Sequence, residues 1–201
     1  MRIVVVGGAG TIGHRLVSKL HERGHLVITA GRTSGDVRVD LTSREAIERM
    51  YQHLGPVDAV VSAAAHGAMD HFATLNRDEL IGNMQAKLFG QVDLVLIGQH
   101  HVSDGASFTL TSGIFADQAW PGVTGGAMIS GALHAFVASA AVELPRGMRI
   151  NAVSPTMIGD SVETFSPHFP GMRPVPMDSL LTDYLACIHG EHTGEVIRAY
   201  G

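Results

Sequence analysis

The residues with the plainest chemical consequence stand at the front of the chain, where Gly7, Gly10 and Gly13 recur every third position after the apolar run Ile3 to Val6. A strand that passes into a helix through such a turn can hold a dinucleotide. Gly7 lets the chain leave the strand tightly, Gly10 lets the backbone approach a pyrophosphate with no Cβ between, and Gly13 lets the new helix lie close to the sheet. With Ala9, Thr11 and Ile12 completing the turn, the helix from Thr11 offers unpaired amides and a positive dipole end to the phosphates. About twenty residues later Gly31-Arg32-Thr33-Ser34 follows the strand around 25–30. A carboxylate there would accept a ribose 2′-hydroxyl, whereas an arginine fork with two hydroxyls suits a 2′-phosphate, so these residues predict NADP(H) rather than NAD(H). Asp36, two residues beyond Ser34, complicates that choice.

Such groups need a sheet to position them. Val-, Ile- and Ala-rich segments near 2–6, 25–30, 36–39, 57–62, 105–111, 147–153 and 194–199 read as strands, several bounded by glycine or proline. Helices are expected near 11–23, 43–54, 76–101, 124–144 and 177–189. The second has Thr42 or Ser43 as its cap, Glu45 in its first turn and Gly55-Pro56 as its stop. The alternation predicts an α/β fold of the Rossmann type, a doubly wound, seven-stranded parallel sheet with helices on both faces, forming one dinucleotide-binding domain over 1–201. The stretch 31–35 is too short for a helix, so the second and third strands meet through a loop. Ligands on such a sheet bind at the carboxyl ends of its strands.

Composition narrows the partners. A net charge of −5 over 201 residues, with no basic run, argues against nucleic acid. Cys187 is alone, so neither a disulfide framework nor a thiolate metal cluster is expected. The twelve histidines scatter, and neither His100-His101 nor His66 with His71 has the spacing and carboxylate company of a metal site. With a first strand expected from residue 2, no removable signal is expected. No apolar stretch is expected to reach the roughly 18 residues that span a bilayer, so no membrane partner and a cytoplasmic location are the expectation.

Further motifs follow in order. Asp40-Leu41 comes after the third strand, and Val57-Asp58-Ala-Val-Val-Ser62-Ala63-Ala64-Ala65 ends the fourth. Leu110-Thr111-Ser112-Gly113 ends the fifth, Glu143-Leu144 with Ile150-Asn151-Ala-Val-Ser154-Pro155 brackets the sixth, and Thr193-Gly194-Glu-Val-Ile opens the last. With the glycine turn, this series resembles the short-chain dehydrogenase/reductase family over essentially the whole chain. The resemblance implies that Asp40 and Leu41 contact the adenine and that Ala63, Ala64 and Ala65 line the nucleotide. It also places Pro155, Thr156 and Ile158 in the segment that holds the nicotinamide carboxamide, and Ser112 at the serine that polarises the substrate oxygen.

The resemblance then breaks at the proton relay. Counting back from Glu143-Leu144 puts Gly126 and Ser130 where the family carries a tyrosine and, four residues on, a lysine. No tyrosine lies between Tyr51 and Tyr184, and the only lysines are Lys19 and Lys87. Lys87-Leu88-Phe89-Gly90 aligns with the family's Asn-Leu-x-Gly, so Lys87 stands in for the asparagine of a helix that passes beneath the site. A lysine in a partly desolvated pocket exchanges a proton near neutrality, which makes Lys87 and Ser112 a substitute acid and oxygen-binding pair. Otherwise Lys87 lies along the helix and reaches solvent, and Ser112 caps a turn. His66 is a weaker candidate for substrate contact, and His134, two turns past Gly126, is expected to pack in a helix interface.

The segment 159–176, rich in proline, serine and phenylalanine, resembles the family's substrate loop and suits a small, partly apolar ligand. The helix at 124–144 carries small apolar residues, and the family pairs it across a two-fold axis, which implies a homodimer or homotetramer. Two functions stay open. One is an NADP(H)-dependent oxidoreductase acting on a small carbonyl or alcohol; the other is a catalytically inactive NADP(H)-binding sensor or regulatory protein.

Overall fold

Continuous runs of β-branched and other apolar residues build the sheet because both of its faces are buried, as parallel strands require. A computed structural model, describing residues 1–64 and 69–201, resolves this pattern into seven strands. These are β1 (Arg2–Val6), β2 (Leu26–Gly31), β3 (Val37–Arg38), β4 (Ala59–Ser62), β5 (Ser107–Thr111), β6 (Arg149–Pro155) and β7 (Val196–Ala199). All pair in parallel in the order β3-β2-β1-β4-β5-β6-β7, so the strand order reverses between β1 and β4. That reversal opens a crevice at the carboxyl ends of the two strands. The expected fold class is therefore observed, with strand ends moved by a residue or two.

The helices are α1 (Thr11–Glu22), α2 (Arg44–Leu54), α3 (Arg77–Met84), α4 (Gly90–Gly98), α5 (Thr124–Glu143), α6 (Val162–Phe165) and α7 (Met177–His189). Val4, Val6, Val60, Phe108, Leu110 and Ile150 point to one face, where Ile47, Leu94, Leu133 and Val137 from α2, α4 and α5 cover them. Ile3, Val5, Val61 and Val153 point to the other face, beneath Leu16 and Leu20 of α1 and Leu180, Tyr184 and Ile188 of α7.

Two expectations need correction. The single helix expected over 76–101 is three pieces: α3, a π-helical segment Gln85–Phe89 and α4. The wide turn re-phases the helix so that Gly90 lies against Leu41, where a Cβ would come within 2.6 Å of both the Leu41 side chain and its carbonyl oxygen. It also brings the buried Gln91 under the end of β5. Gln91 Nε2 donates to the carbonyls of Lys87 (2.7 Å) and Thr111 (2.9 Å), and the Thr111 amide donates to Gln91 Oε1 (2.9 Å). Second, α5 is long and apolar enough to cross a membrane, with 20 residues and a mean hydropathy of 1.5. Its small residues raise the average without forming a continuous run of large ones. Its inner side, Ile129, Ser130, Leu133 and Val137, is buried within the fold.

Candidate nucleotide-binding and active site

The glycine turn has the shape that its spacing implies. Gly7 takes a φ of 83°, and a Cβ there would come 2.6 Å from the Ala64 amide nitrogen, so β1 leaves the sheet tightly against the end of β4. A Cβ on Gly13 would run into the Gly7 carbonyl oxygen and come within 2.8 Å of Gly7 C and Gly8 Cα. The turn is held by Gly7 N–H donating to Ala30 O at 2.8 Å and Gly10 N–H to Gly7 O at 2.9 Å. Gly10 caps α1 without a side-chain bond, no acidic residue occupies the first turn, and the first bond into the helix is His14 N–H to Gly10 O at 2.8 Å. The amides from Thr11 to Gly13 thus precede the helical ladder, while Ala9, Gly10 and Thr11 are exposed. Side chains do not fill the space before these amides, an arrangement that suits an anion at a helix start.

Beside it, Arg32, Thr33 and Ser34 lie exposed in the loop between β2 and β3. Asp36 is bonded to Thr29 of β2. Its Oδ2 accepts from the Thr29 amide (2.9 Å) and the Thr29 hydroxyl (2.7 Å), and these bonds hold its carboxyl below the usual range. Asp40 is likewise engaged, accepting from the Thr42 amide and hydroxyl with the Arg32 charge nearby, and it too stays ionised to lower pH. Leu41 is half-buried against Gly90. Ala63 is buried, its amide donating to Val6 O at 2.8 Å, and Ala64 is half-buried. Ala65, with His66, lies outside the described residues.

Across the crevice, Pro155 and Thr156 are half-buried and Ile158 is buried. Thr156 Oγ1 donates to Arg173 O at 3.0 Å, and Ile158 bridges Val175, so the segment 159–176 closes on its own base. In this segment Phe169 tucks in, 5.3 Å from Phe115 and 5.9 Å from Trp120 between ring centroids, while Phe165 stays exposed. Phe115 also faces the helix: its ring is 3.6 Å from where a Cβ of Gly126 would stand. The room that a side chain at 126 would take is therefore bordered by an aromatic ring.

Ser112 follows β5, is buried, and is bonded. Its Oγ lies 2.9 Å from His134 Nε2 and within 3.5 Å of Val153 O. Lys87 sits mid-way along the π-helical segment, half-buried, and burial lowers its ammonium pKa. Among the described residues no hydrogen bond joins Lys87 to Ser112; the direct partner is His134. His134 thus touches Ser112 as well as packing on α5. The helical spacing 126, 130, 134 places it on the same face as Gly126 and Ser130, a signal that was available in the sequence. Behind it, Asp117 Oδ2 accepts from Arg198 Nε (2.7 Å) and Tyr200 OH (2.6 Å), and Tyr200 OH reaches Ser154 Oγ at 3.3 Å. Burial lowers the His134 pKa, while the Asp117 charge pulls it back up.

Three hydroxyls are buried without a partner among the described residues, Ser62 Oγ at the end of β4, Thr109 Oγ1 within β5 and Ser130 Oγ on α5. A buried hydroxyl left unpaired costs about 1–3 kcal/mol, which a bound polar ligand can relieve. Among the described residues no three of His, Cys, Asp and Glu are grouped to hold a metal ion.

Residues 3–175 match a family model described as enoyl-(acyl carrier protein) reductase. The chain belongs to the short-chain dehydrogenase/reductase family. Within that family it is similar to carbonyl reductase [NADPH] 2 of Sus scrofa, 29% identical over 176 residues that cover 79% of this chain and 72% of the relative. The crystal structure of the protein lin1944 from Listeria innocua superposes with a TM-score of 0.96 at 40% identity, covering all of both chains. A small-chain dehydrogenase solved in complex with NADPH shares the fold, with a TM-score of 0.87 at 23% identity over 98% of this chain and 95% of its own.

Proposed function

We propose that this family member is an NADP(H)-dependent oxidoreductase that moves hydride to or from a small carbonyl or alcohol, with Gly126 and Ser130 in place of the tyrosine and lysine. The observation that carries the reading is the turn of Asp36 back onto Thr29. It ties the Asp36 carboxylate through Oδ2 to Thr29 and leaves an exposed arginine and two hydroxyls after β2, beside the open amides of the glycine turn. The name of the Sus scrofa relative supports the same cofactor.

In this reading the amides from Thr11 to Gly13 hold the pyrophosphate, Arg32 with Thr33 and Ser34 holds the 2′-phosphate, and the backbone of Asp40 and Leu41 borders the adenine. Ala63, Ala64 and Ala65 line the middle of the nucleotide, and Pro155, Thr156 and Ile158 border the nicotinamide. When bound, the cofactor supplies or accepts the two electrons as hydride. Ser112 orients the substrate oxygen, and Lys87 adds a cation from the π-helical segment, a helical irregularity frequent at functional sites. Phe115, Trp120 and Phe169 give the substrate an apolar wall.

The outer side of α5, with Met128 and Val142 exposed, supports pairing of two copies across this helix as a homodimer or the half of a homotetramer. The test of the oxidoreductase reading is absorbance at the nicotinamide band with NADPH and a panel of small aldehydes, ketones and diketones. Oxidation of NADPH dependent on the carbonyl is expected. Binding of NADPH without turnover of any carbonyl or alcohol supports the second reading, an NADP(H)-binding sensor or regulatory protein, which the absence of a tyrosine at Gly126 favours.

A further inference from the structure

Ser112 has the geometry of one half of a dyad. In the described residues its Oγ has two neighbours within hydrogen-bond reach: His134 Nε2 at 2.9 Å and, at the outer limit, Val153 O at 3.5 Å. A serine hydroxyl is a poor acid and a poor base alone, but hydrogen-bonded to an imidazole it passes a proton in either direction. His134 is half-buried on α5, two turns beyond Gly126 and one beyond Ser130. The face of the helix from which the usual tyrosine and lysine would act thus ends in an imidazole that already touches the oxygen-binding serine.

The surroundings of His134 are polarised as such a relay requires. Asp117, just after the 3₁₀ turn Ile114–Ala116, and Arg198 of β7 are the charged groups that act on it, and Tyr200 lies beyond Asp117. Asp117 is itself held by Arg198 Nε and Tyr200 OH, so its carboxylate is fixed in place. The arrangement is a serine, an imidazole in contact with it and a restrained carboxylate whose field favours imidazolium. That is a hydrogen-bonded serine and histidine biased by a nearby negative charge, used for proton transfer and not for covalent attack.

We propose that the proton exchanged with the substrate oxygen travels between His134 Nε2 and that oxygen through the Ser112 hydroxyl. The proposal rests on the oxidoreductase reading above and assigns to His134 the proton that Lys87 would otherwise supply. In the reducing direction the carbonyl carbon gains a C–H bond with the electron pair of the hydride. The Ser112 O–H bond breaks toward the carbonyl oxygen, the His134 Nε2–H bond breaks toward Ser112 Oγ, and the alcohol, an intact serine and a neutral imidazole result. In the oxidising direction each transfer reverses and His134 ends protonated. His134 is a positioning and relay residue; Ser112 is the group that touches substrate. Lys87 stays a nearby cation that gives up no proton.

The test combines a readout that needs no turnover with one that does. Imidazole resonances of the full chain are titrated by ¹H–¹⁵N NMR, His134 being assigned from the signal lost in His134→Gln. Ser112→Ala is expected to move the His134 midpoint and its Nε2 shift, and Asp117→Asn, an exposed position, is expected to lower the midpoint. Reduction of butane-2,3-dione by NADPH is then followed from pH 5 to 9. Wild type is expected to lose rate as pH rises through the His134 midpoint, and Asp117→Asn to shift that limb to lower pH. His134→Gln is expected to fall about 10²- to 10⁴-fold, to lose the limb and to recover in part with added imidazole. Lys87→Met is expected to keep the limb, and melting curves establish that each variant is folded. A folded His134→Gln with the wild-type pH profile overturns the proposal while NADPH-dependent turnover upholds the oxidoreductase reading. A wild type that binds NADPH but turns over neither butane-2,3-dione nor a panel of ketones and alcohols overturns it as well. Failure of wild type to bind NADPH overturns both.

Discussion

Gly13→Ala is the perturbation that the turn geometry prices most directly. The added Cβ would meet Gly7 C and Gly8 Cα at 2.8 Å, with the Gly7 carbonyl oxygen nearer still, whereas carbon atoms sit at about 3.5–4.0 Å in ordinary contact. All three obstacles are backbone, so no side chain can swing away, and the turn has to open by about 1 Å. Overpacking of this kind costs about 1–3 kcal/mol, against which the better helix propensity of alanine returns about 1 kcal/mol. With backbone on every side the strain sits at the upper end of that range, about 2 kcal/mol net, and melting is expected to fall by about 4–8 °C in a chain of this size. Binding suffers more. The amides that face the pyrophosphate shift with the turn, and losing about two charge-assisted bonds weakens NADPH by roughly 100-fold. Fluorescence titration with NADPH beside a thermal melt measures both. Gly82→Ala, at an exposed helical glycine with nothing within 4 Å of a new Cβ, is the control and is expected to leave binding unchanged. A Gly13→Ala protein that melts and binds NADPH like wild type refutes the reasoning.

Arg32→Ala is expected to weaken NADPH by about 10- to 100-fold and leave NADH within a factor of a few, since only the 2′-phosphate needs the guanidinium; equal losses for both would place Arg32 elsewhere. Gln91→Leu strips the Thr111 amide and carbonyl of their buried partner, so urea unfolding is expected to show about 2–4 kcal/mol lost, and a change under 1 kcal/mol contradicts the bridge. Burial lowers the pKa of His134 and of His189, so between their folded values and about 6.5 the unfolded chain binds more protons. Their stabilising contribution is present above about 6.5 and is lost as pH falls through that window, whereas Asp36, Asp40 and Asp117, with lowered values, lose theirs only in stronger acid. Melting temperatures are therefore expected to decline already between pH 6.5 and 5, and His134→Gln to flatten part of that decline.

Much of the fold was written in local patterns. The apolar runs at Ile3 to Val6 and Ala59 to Val61 sit between turn residues, and parallel pairing follows from helices too regular to be loops. The glycine turn and the Arg32 loop were equally plain, because each depends on neighbours in sequence. The π-helical segment was not, since Gln85 to Phe89 carry no helix breaker and the wide turn is imposed by the approach of Gly90 to Leu41. Gln91 was missed for a related reason: its partners on Thr111 lie across a sheet layer. His134 had a signal, its i+4 spacing from Ser130, but its contact with Ser112 depends on the helix rotation that Ile129, Leu133 and Val137 set against the sheet. Asp36 shows the reverse case. Its sequence position suggested a competing carboxylate, and only the fold turns it onto Thr29.

The central claim is a nucleotide site built for a 2′-phosphate, and the measurement that tests it most directly is a fluorescence titration of the wild-type protein with NADPH and NADH in one buffer. The account predicts saturable binding of NADPH at least ten-fold tighter than NADH. Tighter binding of NADH, or no binding of either, would contradict it.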